Sequence, residues 1–177
     1  MDLTEKKLTS ETLYIGKIIT LRRDTVELPD GKTAMREIVD HPGGVGILAL
    51  DDRGRAAMVR QYRYAFGTAL WEIPAGKREP GEAPDVTARR ELQEEVGASA
   101  ARWTPLGAVI PSPGCYGETL WLYLAQELTM GATHPDEDEF LEVQWMPLED
   151  LAEKCLRGTI RDAKTVIAVL KAKLLTG

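Results

Sequence analysis

Along the first part of the chain apolar and polar residues alternate, a pattern that predicts strands with one face turned inward. Tyr14, Ile18 and Leu21 stand among polar neighbours across residues 12–28. Leu28-Pro-Asp-Gly-Lys32 carries turn chemistry, and Thr33–Asp40 provides a return strand. The expectation for residues 1–44 is a short antiparallel β-meander, an extension that needs burial against something because two or three strands are marginal alone. His41-Pro-Gly-Gly44 breaks the pattern. The apolar run Val45–Leu50 then predicts a buried strand, and Asp51-Asp-Arg-Gly54 turns the chain into a second one, Arg55–Tyr62.

The period changes near residue 84. Pro84 suits a first helical turn, Asp85–Val96 are mostly good helix formers, and Gly97 is placed as a left-handed stop, which predicts a helix of about three turns. Ala88, Leu92 and Val96 form an apolar stripe, while Glu91, Glu94 and Glu95, at i, i+3 and i+4, share the adjoining side. Beyond it, strands are predicted over residues 102–110, 118–127 and 140–146, with Pro111–Gly117 joining the first two and acidic Gly131–Glu139 as a surface loop. A helix opens at Pro147 and Leu148 and runs to about Arg157, and Asp162 is placed to cap a last helix ending near Leu175. Strands on both sides of one central helix, with helices again at the end, predict an α/β (α+β) sandwich of mixed sheets over residues 45–177.

Composition narrows the function classes. The chain has 177 residues, 44% apolar and 28% charged, which suits one ordinary globular domain with a small extension. A net charge of −6 argues against a nucleic-acid surface, so an anionic ligand must be met by local positive charge or by metal. The N-terminus mixes charges and lacks an apolar signal core, and no apolar run is long enough to span a bilayer. The expectation is a cytoplasmic protein with no membrane partner. Cys115 and Cys155 are too few and too scattered for a disulfide framework or a zinc site and are read as free thiols. His41 and His134 are read as local polar residues.

The acidic side of the central helix carries the candidate chemistry. Clustered carboxylates raise one another's pKa unless something positive sits among them, and a hard cation such as Mg²⁺ takes oxygen ligands of this kind. A solvated acidic face is the plainer reading of a run of Glu. The flanks decide against it. Gly76, Glu82, Arg90-Glu91-Leu92, Glu94-Glu95 and Gly97-Ala98 match every fixed position of the Nudix box, a coincidence on the order of 10⁻⁹ at average residue usage.

The resemblance to that family implies a Nudix-type α/β/α sandwich. It also implies a loop–helix–loop that binds Mg²⁺, with Mn²⁺ as a substitute, and hydrolyses a nucleoside diphosphate linked to another group. By the same resemblance Glu91 and Glu95 are the principal metal ligands, Glu94 is a further ligand or a water orienter, and the Ala75 carbonyl joins them. Arg90 looks like an orienting ion-pair partner, and Glu82 is the weakest of the box positions, its role read as structural.

Further motifs resemble the ADP-ribose pyrophosphatases within that family. Ser112-Pro113-Gly114-Cys-Tyr-Gly-Glu118 is similar to their Ser-Pro-Gly-x-x-x-Glu loop. Val59-Arg60-Gln-Tyr-Arg63 is similar to a strand end whose second arginine contacts substrate phosphate. Asp136-Glu137-Asp-Glu139 falls where the family has a loop glutamate that activates water. The alignment gives that role to Glu137 and makes Glu139 a metal ligand, with the two roles exchangeable and Glu118 as a competing base. Met35-Arg36-Glu37 resembles a strand that crosses to a partner subunit, which makes Arg36 a phosphate contact and implies a homodimer. Trp71, Tyr14 and Tyr64 are the candidates for stacking a base. The implied substrate is a nucleoside diphosphate sugar, ADP-ribose first. GDP-mannose or another nucleotide sugar is the alternative within the enzyme class, and a non-catalytic nucleotide sensor the alternative outside it.

Overall fold

A computed structural model of the chain describes residues 1–133 and 140–176. The chain divides into two compact units, Met1–Gly43 with Ile110–Thr119, and Gly44–Val109 with the described residues from Leu120 onward. In the smaller unit, strands β1 (Lys6–Ile15), β2 (Thr20–Glu27) and β3 (Thr33–Asp40) form the expected antiparallel meander, β1 beginning several residues before the predicted start. The short β9 (Tyr116–Gly117) pairs in parallel with β3 through Val39 and Asp40. What reads in sequence as a simple connection between strands, Pro111–Gly117, therefore extends this sheet.

The larger unit holds two sheets. Strands β7 (Ala75–Lys77), β4 (Gly44–Ala49), β10 (Leu120–Met130) and β8 (Ala98–Val109) form a mixed sheet in that order, with β4 and β10 parallel. Strands β11 (Glu142–Pro147), β5 (Arg55–Arg63) and β6 (Thr68–Glu72) form an antiparallel one. Helix α1 spans Pro84–Glu91, α2 Leu148–Leu156 and α3 Ala163–Thr176. The mixed α/β class expected from sequence is the class observed. Strands β6, β7 and β9 escape the periodicity because each is shorter than about three pairs of alternating residues.

Strand β4 shows why the sandwich forms. Both its faces are apolar, so alternate residues enter different cores. Val45, Ile47 and Ala49 pack with Ala88, Leu92 and Val96 of the box segment. Leu48 joins Met58, Ile73 and Leu122 in the core against Leu151 of α2 and Ala168, Val169 and Ala172 of α3. All of these side chains are at most 4% exposed, and burying one Leu or Ile contributes roughly 1.5–3 kcal/mol. A central strand so covered is the rigid element against which β7 and α1 are set.

Candidate active site

The site is built on three neighbours in the larger unit: the edge strand β7, the loop after it, and α1. Strand β7 runs antiparallel to β4 with Val45 opposite Gly76 and Gly46 opposite Ala75. The helix starts as its sequence predicts, with Pro84 in the first turn and Asp85 near the positive end of the helix dipole. Its end departs from the expectation. After Glu91 the backbone widens into a π-helical turn, Leu92–Val96, closed by Gly97 in the left-handed conformation at φ 67°. Such turns recur at functional sites.

Loop and helix are clamped together through Glu82. Its carboxylate accepts hydrogen bonds from the Thr87 hydroxyl at 2.8 Å, the Glu79 amide at 3.2 Å, and Arg90 Nε and Nη2 at 3.1 Å each. Arg78 donates to the Glu82 carbonyl through Nε at 3.0 Å and Nη2 at 2.6 Å. The Arg90 hydrogen bonds, first among these, hold the Glu82 carboxyl far below the usual range, at about 2. Glu82 is thereby a brace for the loop.

Arg90 is the hub. Beyond Glu82, its Nη1 donates to Glu91 Oε1 and Glu94 Oε2, both at 2.8 Å, and Nη2 donates to the Lys77 carbonyl at 3.2 Å. Its pKa is pushed up by these carboxylates, Glu82 foremost. Three negative charges thus share one positive charge. Glu95 lies one turn further and accepts the Ala75 amide through Oε2 at 3.0 Å. Glu91 and Glu95 are buried, at 8% and 4% exposure, and Glu94 is half-buried.

Gly76 makes room for Glu91. A Cβ built on Gly76 would stand 1.8 Å from Glu91 Cδ and Oε1, so the carboxylate occupies the space that any other residue would fill. Among the described residues no three His, Cys, Asp or Glu side chains stand arranged to hold an ion. The donor set still has the chemistry of a hard-cation site. It consists of buried carboxylate oxygens in excess over positive charge, cradled against a strand whose glycine admits them.

Arg63, at the end of β5, donates through Nε and Nη2 to the two oxygens of buried Glu72, both at 2.7 Å, a bidentate pair that raises the arginine pKa. Arg60 is exposed, 3.3 Å from Glu142 Oε2, and its Cζ lies 5.9 Å from the Trp71 ring centroid. The structure therefore brings together Ala75, Arg90, Glu91, Glu94 and Glu95, with Arg63 and Arg60 on the neighbouring sheet. Glu72 was not singled out in the sequence; the signal was an acidic residue inside the apolar stretch Leu70–Pro74.

The remaining candidates lie in the smaller unit or outside the described residues. In the smaller unit Arg36 donates to the Glu5 carboxylate through Nε at 2.9 Å. Pro113 and Gly114 are exposed in the turn before β9. Glu118 Oε1 lies 3.4 Å from His41 Nδ1, which accepts the Gly43 amide at 3.1 Å, and the His41 ring packs tilted on Tyr116 at 5.4 Å. Glu137 and Glu139 lie outside the described residues. The chain on either side of them is anchored. Gln93 Nε2 donates to the Ala132 carbonyl at 2.9 Å, the Gly131 amide bonds the Gly97 carbonyl at 2.5 Å, and Glu142 opposes Arg60 in the β5–β11 register.

A carboxylate-lined helix, braced by arginine beside a glycine-bearing edge strand in an α/β sandwich, defines a Nudix hydrolase. Residues 40–168 match the family model of the NUDIX domain, and the chain belongs to that family. Residues 5–39 match the model of the nucleoside diphosphate sugar hydrolase N-terminal domain. The chain is 44% identical over 169 residues to the ADP-ribose pyrophosphatase of Bacillus subtilis (strain 168), covering 94% of this chain and 91% of that protein. To the ADP-ribose pyrophosphatase of Mycobacterium tuberculosis (strain ATCC 25618 / H37Rv) it is 40% identical over 173 residues, covering 96% and 83%. The crystal structure of an ADP compounds hydrolase shares the fold at a TM-score of 0.85 and 22% identity, covering 99% of this chain and 96% of that one.

Proposed function

We propose that this chain hydrolyses the diphosphate bond of ADP-ribose, giving AMP and ribose 5-phosphate, with Mg²⁺ as its cofactor and Mn²⁺ as a substitute. The observation that carries this reading is the buried pair Glu91 and Glu95, seated against β7 by the absence of a side chain at Gly76 and by the Ala75 amide. Two of the three relatives found at 40% identity or more are named for ADP-ribose and matched over most of their length, which supports the choice of substrate; the third is named as a methanol dehydrogenase activator.

Glu91, Glu95, Glu94 and the Ala75 carbonyl would hold the Mg²⁺, with Glu139 as a further ligand. When bound, the ion neutralises diphosphate oxygens and lowers the pKa of a bound water. Arg90 fixes Glu91 and Glu94 at one spacing, so their oxygens need no reorganisation when the substrate arrives. Arg63 has Nε and Nη2 committed to Glu72, which leaves its Nη1 edge for a phosphate oxygen, and Arg60 adds a second, exposed positive charge. Glu137 takes the proton of the attacking water, with Glu139 and Glu118 as the other candidates. The anchoring of residues 131–132 on the π turn favours the first two. Arg36, Pro113, Gly114 and Glu118 are assigned as substrate contacts from their motifs. The active form is a homodimer in the cytoplasm; among the described residues no helix is long and apolar enough to cross a membrane.

The test is product analysis over a panel of nucleoside diphosphate sugars with Mg²⁺. ADP-ribose should yield AMP and ribose 5-phosphate in equal amounts. Turnover confined to GDP-mannose would overturn the substrate, and stoichiometric nucleotide binding without release of AMP would overturn the activity. Sedimentation of the intact chain as a monomer would remove the dimer.

A further inference from the structure

Four charged side chains, Arg63, Glu72, Asp162 and Lys164, form a network whose centre, Glu72 and Lys164, is buried, and the chemistry assigned above uses only Arg63 among them. Glu72, at the end of β6, is 2% exposed, and Lys164, in the first turn of α3, is 8% exposed. Lys164 Nζ donates to Glu72 Oε2 and, at 3.0 Å, to Asp162 Oδ1. Asp162 Oδ2 accepts the Thr165 amide at 3.0 Å and the Thr165 hydroxyl at 2.5 Å, capping α3. That hydroxyl oxygen in turn accepts the Ile73 amide at 2.9 Å, which fastens the helix to the residue next to Glu72. The lysine reaches Glu72 across β4 at Gly46, where a Cβ would lie 3.6 Å from Lys164 Cδ and only 3.0 Å from Leu122 Cδ2. On the other side, Arg63 takes both oxygens of Glu72.

Two cations and two anions balance. Burial works to raise the Glu72 pKa, but the Arg63 hydrogen bonds and the Lys164 charge outweigh it, so Glu72 stays ionised. Apolar residues of similar volume in place of a buried ion pair are often neutral or stabilising, since desolvating charges such as those of Glu72 and Lys164 is costly. What the network provides is direction. A guanidinium held by a fork can present only its remaining edge, and Arg63 also senses the charge of Glu95.

We propose that Lys164 and Asp162 are positioning residues for the hydrolysis: by holding Glu72 in place they fix the Arg63 guanidinium in the orientation that receives the substrate diphosphate. The proposal rests on the reading of Arg63 as a phosphate contact. Neither residue touches substrate, and their effect is transmitted only through Glu72.

The experiment is a double-mutant cycle in steady-state kinetics with ADP-ribose and Mg²⁺, using Lys164→Met, Arg63→Ala and the two combined, each checked by thermal melting. Lys164→Met should raise KM about tenfold with a smaller change in kcat, and should change KM less than about twofold in the Arg63→Ala background. If Lys164→Met raises KM by the same factor in both backgrounds, or leaves it unaltered in the parent chain, the positioning role is overturned. If Arg63→Ala itself leaves KM unaltered while the parent releases AMP, the assignment of Arg63 as a phosphate contact fails, and the proposal with it. Should Lys164→Met not fold, Lys164→Gln, which keeps a donor toward Glu72 without the charge, takes its place in the same cycle.

Discussion

Adding one methyl group at Gly76 separates the stability of this fold from its chemistry. In Gly76→Ala the new Cβ meets the Glu91 carboxylate at 1.8 Å, well inside the roughly 3.5 Å of ordinary contact, and lies 2.3 Å from the second oxygen. Strand β7 is held in register by β4, so the cheaper response is for the end of the glutamate side chain to move. Its hydrogen bond from Arg90 Nη1 goes with it. Loss of one charge-assisted hydrogen bond and some burial amounts to about 1–3 kcal/mol, or a fall in Tm of several degrees for a chain of this size. Displacing a ligand carboxylate by more than 1 Å should cost on the order of 10² in kcat, since positioning of that accuracy carries much of the rate. The assay is AMP release across a Mg²⁺ titration, with a melting curve on the same sample. A variant that melts within a few degrees of the parent and keeps its full kcat and metal dependence would refute the claim that Glu91 must occupy that space.

Glu95→Gln keeps the hydrogen bond to the Ala75 amide while removing a charge, and should lower kcat by orders of magnitude with little change in Tm; unaltered turnover would remove Glu95 from the metal site. Stripping divalent ions with EDTA should abolish turnover, and restoring Mg²⁺ should recover it; activity that persists in EDTA counts against the cofactor. Because the folded Glu82 carboxyl titrates at about 2, below its unfolded value, its contribution is complete above about pH 4.5 and is lost as pH falls toward 2. Glu82→Gln should therefore flatten acid unfolding across that window by on the order of 1–2 kcal/mol, allowing for solvent screening, and an unchanged pH slope would contradict the brace.

The box segment was legible because its rules are local. A proline near the start, a glycine past the end and carboxylates three and four residues apart need no tertiary information to be placed on one side of a helix. The π turn was not, since Leu92–Val96 has no composition that separates it from an α-helical continuation. Glu72 and Lys164 stand 92 residues apart, and a buried ion pair leaves no periodicity in either neighbourhood. Asp162 was read as a helix cap, which it is, but its second oxygen faces Lys164. Gly76 belongs to a motif; only the fold shows which atoms its missing side chain admits.

The widened turn leaves this helix no room for a further residue. Each residue of an α-helix advances the chain by about 100° around the axis, and the π turn already takes up one residue more than a regular helix would hold. Inserting a residue beside Gln93 would therefore swing Glu95 by roughly that angle away from Glu91 and carry Gly97 off its turn. Natural variants of this chain should accordingly tolerate exchange of Gln93 far better than an insertion beside it.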